Sequence, residues 1–419
     1  MTSHTENVDP LFDPDVVQDP FAYYQLLRTT DPMHETIPGT FLVTRMDLVQ
    51  EVVAKPDLYS STAPGFLHRG DQATPVLRPL LPGAEDDLGE VEVPGVLATA
   101  DPPDHERHRR VLAKRFSAAG IRAMEPGFRD LVEGALVAVP ADGRCEWMSQ
   151  VAEPLPMVMV ARLLGLDDSH APELKDLGYA MVERIGGFVP DDRLHDLDVA
   201  SFEAMAPLAD TYFRARGNST ALDSDGGIIA TVARAADDGD LDDLEAIGIL
   251  ALIVAAGGES TTSLLGTAVR ILAEQPDLQD RLRSDPALVP TFVEEALRYD
   301  PPFRGHYRVA TRDTVLGDTP VPEGAHLVLM WPSANRDSAV HDQPDDVRLD
   351  RPNPRHHLGF GWGIHLCLGA PLARLEAKVT IDTLLSRTRH VRLDENAGPL
   401  RYHPSLMVRR LTALPLVLI

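Results

Sequence analysis

The 419-residue sequence predicts a mainly α-helical fold, a large helical bundle with a long central helix and small β-sheets. Three observations predict it. Apolar residues recur at helical spacing through most of residues 121–300. Residues 241–275 keep an apolar pattern long enough, at 1.5 Å per residue, to span about 50 Å, the width of a domain. Short β-branched runs punctuated by turn residues occur only near 40–60, near 307–330 and at the C-terminus.

The 35 prolines and 30 glycines are spread along the whole length, and 44% of residues are hydrophobic, enough for one large core. With no linker to cut at, residues 1–419 read as a single domain. A net charge of −25 argues against nucleic acid or an anionic membrane as partner, since both call for a basic surface. The N-terminal residues carry neither a basic n-region nor an apolar stretch, and the two cysteines do not form a disulfide pattern, so a soluble, cytoplasmic protein is expected.

Residues 20–30 and 46–54 read as short helices flanking an extended 40–44. Residues 60–100 are rich in proline, glycine and acid with little helical periodicity; a loop of that length is usually functional, and it is expected to be a substrate lid. The stretch 101–110, DPPDHERHRR, opens a helix that should run through 116. Its cations, Arg107, Arg109, Arg110, Lys114 and Arg115, stand out in an acidic chain, either as a solvated face balanced by local acids or as a site for an anion or acidic partner. Helical patterns follow over 121–139, 154–164, 172–185 and 194–216, with a break at 186–191 that offers a second candidate cover. Cys145 has no neighbouring His or Cys and reads as an ordinary buried residue.

The central run is interrupted at Gly257-Gly258-Glu259-Ser260-Thr261-Thr262. Each glycine costs about 1 kcal/mol inside a helix, and a glutamate beside an apolar turn needs a partner, so the break points to more than a capped kink. Residues 285–299 form another helix, in which Glu295 and Arg298 meet at i, i+3; a surface ion pair is the usual outcome. A coil at 342–354 leads to 360–369, FGWGIHLCLG, followed by a helix at 371–385 and a terminal strand. A cysteine nucleophile would want a nearby base, and zinc would want further ligands. A haem iron needs one thiolate, which a helix N-terminus steadies.

The sequence resembles the cytochrome P450 family, specifically its soluble bacterial haem-thiolate monooxygenases, across nearly its whole length. The family's F-G-x-G-x-H-x-C-x-G signature is filled by Phe360, Gly361, Gly363, His365, Cys367 and Gly369. The resemblance implies haem b with Cys367 as iron ligand, Phe360 beside the sulfur, and His105, Arg109, Arg308 and His365 on the propionates. It turns Glu295 and Arg298, with Arg351, into a buried structural network. It implies a proton relay through Glu259, Ser260 and Thr261, with serine where the family usually has threonine; the hydroxyl stays, but the methyl that restrains its rotamer is lost.

By the same resemblance the protein inserts one oxygen atom of dioxygen into a hydrophobic small molecule, by hydroxylation or epoxidation in secondary metabolism. Electrons would come from NAD(P)H through a separate acidic ferredoxin docking on Arg107, Arg110, Lys114 and Arg115. The expected substrate contacts are Val254, Gly257, Gly258, Phe303, Arg304, His306 and Leu406. A peroxide-driven peroxygenase of the same fold would not need the acid and alcohol at 259–260. A non-catalytic recruiting protein would have no reason to keep Cys367, His105, Arg109, Arg308 and His365 together, and in a haem sensor the proton-relay motif would be idle.

Overall fold

The computed structural model describes residues 8–62, 66–69, 75–78, 94–186, 188, 191–216 and 226–419. Helices dominate, as expected. The central run folds as two consecutive helices, Asp243–Gly257 and Glu259–Glu274, meeting at Gly258. Its start is fixed by a capping box: Asp242 accepts from the Glu245 N–H at 2.7 Å, and Glu245 accepts from the Asp242 N–H at 3.0 Å. By length and composition this 32-residue run could cross a membrane, but 67% of its most apolar window is buried in the fold. It is the core helix, packed by Pro154–Leu164, Ala171–Gly186 and Ala370–Arg387.

The break at Gly258 has a steric cause. A Cβ there would lie 2.0 Å from Met157 Cε, and one at Gly257 would lie 2.8 Å from Val160 Cγ2. The two glycines let Pro154–Leu164 approach the central helix closely.

Strands are more numerous than the sequence suggests. The main sheet runs Met33–Ile37, Thr40–Val43, His326–Leu329, His306–Ala310 and Tyr59–Ser60, antiparallel except for the pairing of Thr40–Val43 with His326–Leu329. A second sheet joins Val391–Leu393, Pro415–Leu418 and Arg144–Glu146. Most of the expected substrate lid lies outside the described residues. Its described part contains a hairpin, Phe66–Arg69 with Pro75–Arg78, where a loop is expected. Much of the 186–191 break is likewise outside them. Its Gly186 carbonyl accepts from Leu406 N–H at 2.7 Å, which ties it to the C-terminal segment.

Two further differences bear on the site. The helix opening at Asp104 stops at Leu112, short of 116, leaving Lys114 and Arg115 in a turn. Helices Gly227–Asp237 and Pro276–Ser284 were not anticipated.

Candidate functional site

The loop before helix Ala370–Arg387 is folded back on itself. Gly361 and Gly363 hold φ of 69° and 70°, left-handed angles that a side chain resists. These turns let the Cys367 N–H donate to the Phe360 carbonyl at 2.9 Å, and the Gly361 N–H to the Leu358 carbonyl at 2.8 Å. Cys367 is exposed by surface area. Enough protein surrounds the sulfur for burial to push its thiol up. Against that push, the N–H groups of Gly369 and Ala370 and the charges of Arg109 and Arg374 pull the thiol down.

Four nitrogen-bearing side chains gather near this loop. His105 is buried, and its ring centroid lies 4.2 Å from that of His365. His365 Nε2 meets Ser61 Oγ at 2.8 Å, while Nδ1 of both histidines is buried without a partner. Burial, together with the charge of Arg308, brings the His365 pKa to about 3. Arg308 is buried and donates only to the adjacent Tyr307 carbonyl among its recorded bonds, and burial lowers it to about 10. Arg109 donates to the Leu366 carbonyl at 2.8 Å, within the cysteine loop. Unspent donors buried side by side are costly unless an acceptor meets them.

Beneath the loop, Glu295 and Arg298 are fully buried and not a surface pair, joined at 2.8 Å and 3.1 Å. Arg351 reaches Glu295 at 2.9 Å, and Arg298 donates to the carbonyls of Asn335, Pro344 and Asp346. This network fixes the coil that leads into the cysteine loop. Breaking such a buried pair on one side costs about 3–5 kcal/mol.

The central helix keeps one narrow accessible face, which carries part of the expected set. Leu252, Ala256 and Ser260, four residues apart, keep accessible surface, as does Gly257, while Ala251, Ile253, Val254, Ala255, Gly258 and Glu259 are buried. Ser260 Oγ donates to the Ala256 carbonyl at 2.6 Å. Val254 is fully buried in the core and Gly258 is buried against Met157, so these two expected substrate contacts offer no accessible surface; Gly257, close to Val160, is only half-buried. Glu259 is buried and accepts from Arg410 Nε at 2.9 Å; Arg410 Nη1 also reaches Glu153 at 3.2 Å. Burial pushes the Glu259 carboxyl up, against the pull of Arg410. No direct bond joins Glu259 to Ser260 among the recorded contacts, and Thr261 is buried beside them.

Arg304 is another correction. It is buried and donates to the Val17 carbonyl at 2.6 Å, so it ties down the N-terminal helix rather than meeting a ligand. His306 sits between Phe303 and Trp331, with ring centroids 5.3 Å and 5.6 Å away. Its Nδ1 accepts the Trp331 indole N–H at 2.8 Å, which places the ring proton on Nε2. Burial lowers its pKa to about 4, so the ring is neutral. Leu406 is half-buried on the same C-terminal segment that holds Gly186.

Of the four cations expected to dock a partner, two are engaged internally. Arg107 pairs with Glu245 at 2.5 Å and with Asp104 at 2.7 Å, and Glu245, drawn down to about 2 chiefly by Arg107, also meets His108 at 3.2 Å. Arg115 Nε donates to Thr231 Oγ1 at 3.0 Å. Arg110 and Lys114 are exposed.

The chain is 37% identical over 412 residues to cytochrome P450 144 of Mycobacterium tuberculosis, covering 98% of this chain and 92% of that protein. It belongs to the cytochrome P450 family. The family profile, described as Cytochrome P450, matches residues 223–415. Among curated relatives, the erythromycin C-12 hydroxylase of Saccharopolyspora erythraea is 34% identical, over 76% of this chain and 80% of that protein. Among solved structures, CYP109E1 from Bacillus megaterium in complex with testosterone superposes with a TM-score of 0.81 at 26% identity, covering 96% of this chain and 99% of that one.

A cytochrome P450 binds haem, and the residues present fit it. The exposed sulfur of Cys367, the orphaned Nδ1 atoms of His105 and His365, and the buried Arg308 together supply one thiolate and a set of donors for two carboxylates. The P450 site also contains residues that the sequence reading missed. Ser61 and Asp101 order the segment facing His365: Asp101 accepts from Ser61 N–H at 2.8 Å and from Ser60 Oγ. Arg410, partner of Glu259, comes from 151 residues further along the chain, with no local signal to announce it. Ala256 and Leu252 do have such a signal, their spacing of four from Ser260.

Proposed function

We propose that this cytochrome P450 monooxygenase hydroxylates or epoxidises a hydrophobic natural-product-like molecule in the cytoplasm, with electrons from NAD(P)H delivered by a separate ferredoxin. The observation that carries the haem-thiolate reading is Cys367: an exposed sulfur just before the N-terminus of helix Ala370–Arg387, with the orphaned imidazole nitrogens of His105 and His365 and the buried Arg308 guanidinium nearby. Haem, once bound, supplies dioxygen activation and transfer of one oxygen atom to substrate carbon.

The chain's own residues do the rest. Cys367 would hold the iron, its loop kept in place by the Phe360 carbonyl and the Gly369 and Ala370 amides. His105, Arg109, Arg308 and His365 hold the carboxylate edge. Ser260 Oγ, on the exposed face of the central helix, would hold and pass on a proton at its hydroxyl, with Glu259 as the acid that replenishes it and Thr261 beside them. Arg410 must release Glu259 for that transfer. Leu252, Ala256, Phe303 and Leu406 offer apolar surface to the substrate, and the His306 Nε2–H is the donor for an oxygen on it. A macrolide or steroid-sized body is consistent with the relatives named above.

A purified preparation with ferredoxin, reductase and NAD(P)H, screened first for compounds that shift the haem spin state, tests this reading. Product formation that requires the ferredoxin and dioxygen is expected. Product formed with hydrogen peroxide alone, and none with the electron-transfer proteins, would replace it with the peroxygenase reading.

A further inference from the structure

Glu294 lies beside Glu295 on helix Val289–Tyr299, yet it belongs to a separate network. Its buried carboxylate accepts from Arg374 Nε at 2.7 Å and Nη2 at 3.0 Å, a two-pronged pair, and from His357 Nε2 at 2.9 Å. His357 Nδ1 accepts the Gly359 N–H at 3.0 Å. An amide can only donate, so the imidazole proton is on Nε2 and points at Glu294. Arg374 meanwhile lies 4.5 Å over the Phe360 ring, and the Phe360 carbonyl receives the Cys367 N–H. One carboxylate on a rigid helix thus holds both limbs of the cysteine loop, the entry through His357 and Gly359 and the exit through Arg374 on helix Ala370–Arg387. Arg355 also approaches Glu294 at 3.5 Å, but its side chain is 73% exposed, where an ion pair contributes little.

We propose that Glu294, His357 and Arg374 are positioning residues that form a charge-balanced clamp setting the electron density on the Cys367 sulfur. The proposal rests on the haem-thiolate reading above. Its physical content is electrostatic as well as mechanical. Arg374 puts its positive charge against Phe360, the residue whose carbonyl receives the Cys367 N–H. Burial pushes the Glu294 carboxyl up, but the bonds from His357 and Arg374 outweigh it and hold the group at about 2, so its negative charge persists at neutral pH and offsets Arg374. Loss of Glu294 charge leaves Arg374 uncompensated, withdrawing electron density from the sulfur. Loss of Arg374 charge leaves Glu294 uncompensated, with the opposite effect.

The test is the haem reduction potential of the loaded protein, measured by spectroelectrochemical titration. Glu294→Gln is expected to raise the potential, Arg374→Gln to lower it, and the double variant to return close to wild type. A purely mechanical role would shift both single variants the same way, or shift neither while reducing the thiolate-ligated fraction; either result overturns the proposal. Should the deletions fail to load haem, Arg374→Lys and His357→Gln, which keep the charges, carry the test. Both are expected to hold the wild-type potential while losing thiolate ligation at lower temperature, and a displaced potential in either would overturn the clamp. A wild-type protein lacking the thiolate Soret band would overturn the haem-thiolate reading itself, a different observation from any shift among variants.

Discussion

Ser260 stands where the family's usual threonine would be, and its hydroxyl is bonded to the Ala256 carbonyl rather than to the neighbouring acid. Without a β-methyl its rotamer is less restrained, so it can leave that carbonyl to pass a proton and return. In Ser260→Ala, product formed per NAD(P)H consumed is expected to fall about tenfold or more while NAD(P)H oxidation continues, since proton delivery by a positioned group contributes at least that much. In Ser260→Thr the same ratio is expected to rise. A Ser260→Ala protein that remains as tightly coupled as wild type would remove the hydroxyl from the relay. Legibility at this scale follows locality. Cys367, Phe360 and His365 can be read from the sequence because they sit at fixed spacing in one loop. Arg410, Arg374 and Asp101 cannot, because their roles depend on partners 151, 80 and 40 positions away. Arg304 is misread for the same reason, its acceptor being 287 positions away at Val17.

The central helix is the element on which the account turns. An alanine in place of glycine inside a helix is normally worth about 1 kcal/mol of stability. At Gly258 the added Cβ would meet Met157 Cε at 2.0 Å and Sδ at 2.7 Å. Even a flexible thioether must then move within a packed core, at a cost of about 1–3 kcal/mol. Gly258→Ala is therefore expected to lower the thermal midpoint; a raised midpoint would mean that the break is not enforced by Met157. The long helices are legible because each presents a sustained apolar period, as at Pro154–Leu164, where the expected and observed bounds coincide. Pro276–Ser284 is largely polar, and Met33–Ile37 is a short strand whose conformation depends on pairing with Thr40–Val43. Neither carries enough local pattern to be read alone.

For the whole molecule, a charge of −25 sets a problem for an acidic electron donor, because the overall field repels it. Under the proposed function, docking of that donor would rely on a local patch. With Arg107 and Arg115 engaged by Glu245 and Thr231, the burden falls on Arg110 and Lys114. The double charge reversal Arg110→Glu, Lys114→Glu is expected to slow ferredoxin-driven reduction severalfold, more so at low salt, while chemical reduction by dithionite is unchanged. Equal rates would place the docking surface elsewhere. The family, the helical class and part of the sheets, at Thr40–Val43, His306–Ala310, His326–Leu329 and Pro415–Leu418, are legible at this scale. The hairpin Phe66–Arg69 with Pro75–Arg78 is not, since its surroundings read as coil. The most direct measurement of the central claim is the optical spectrum of the haem-loaded, reduced protein under carbon monoxide. The account predicts the red-shifted Soret band of thiolate ligation in the wild type and its loss in Cys367→His; a wild-type spectrum without that band would contradict it.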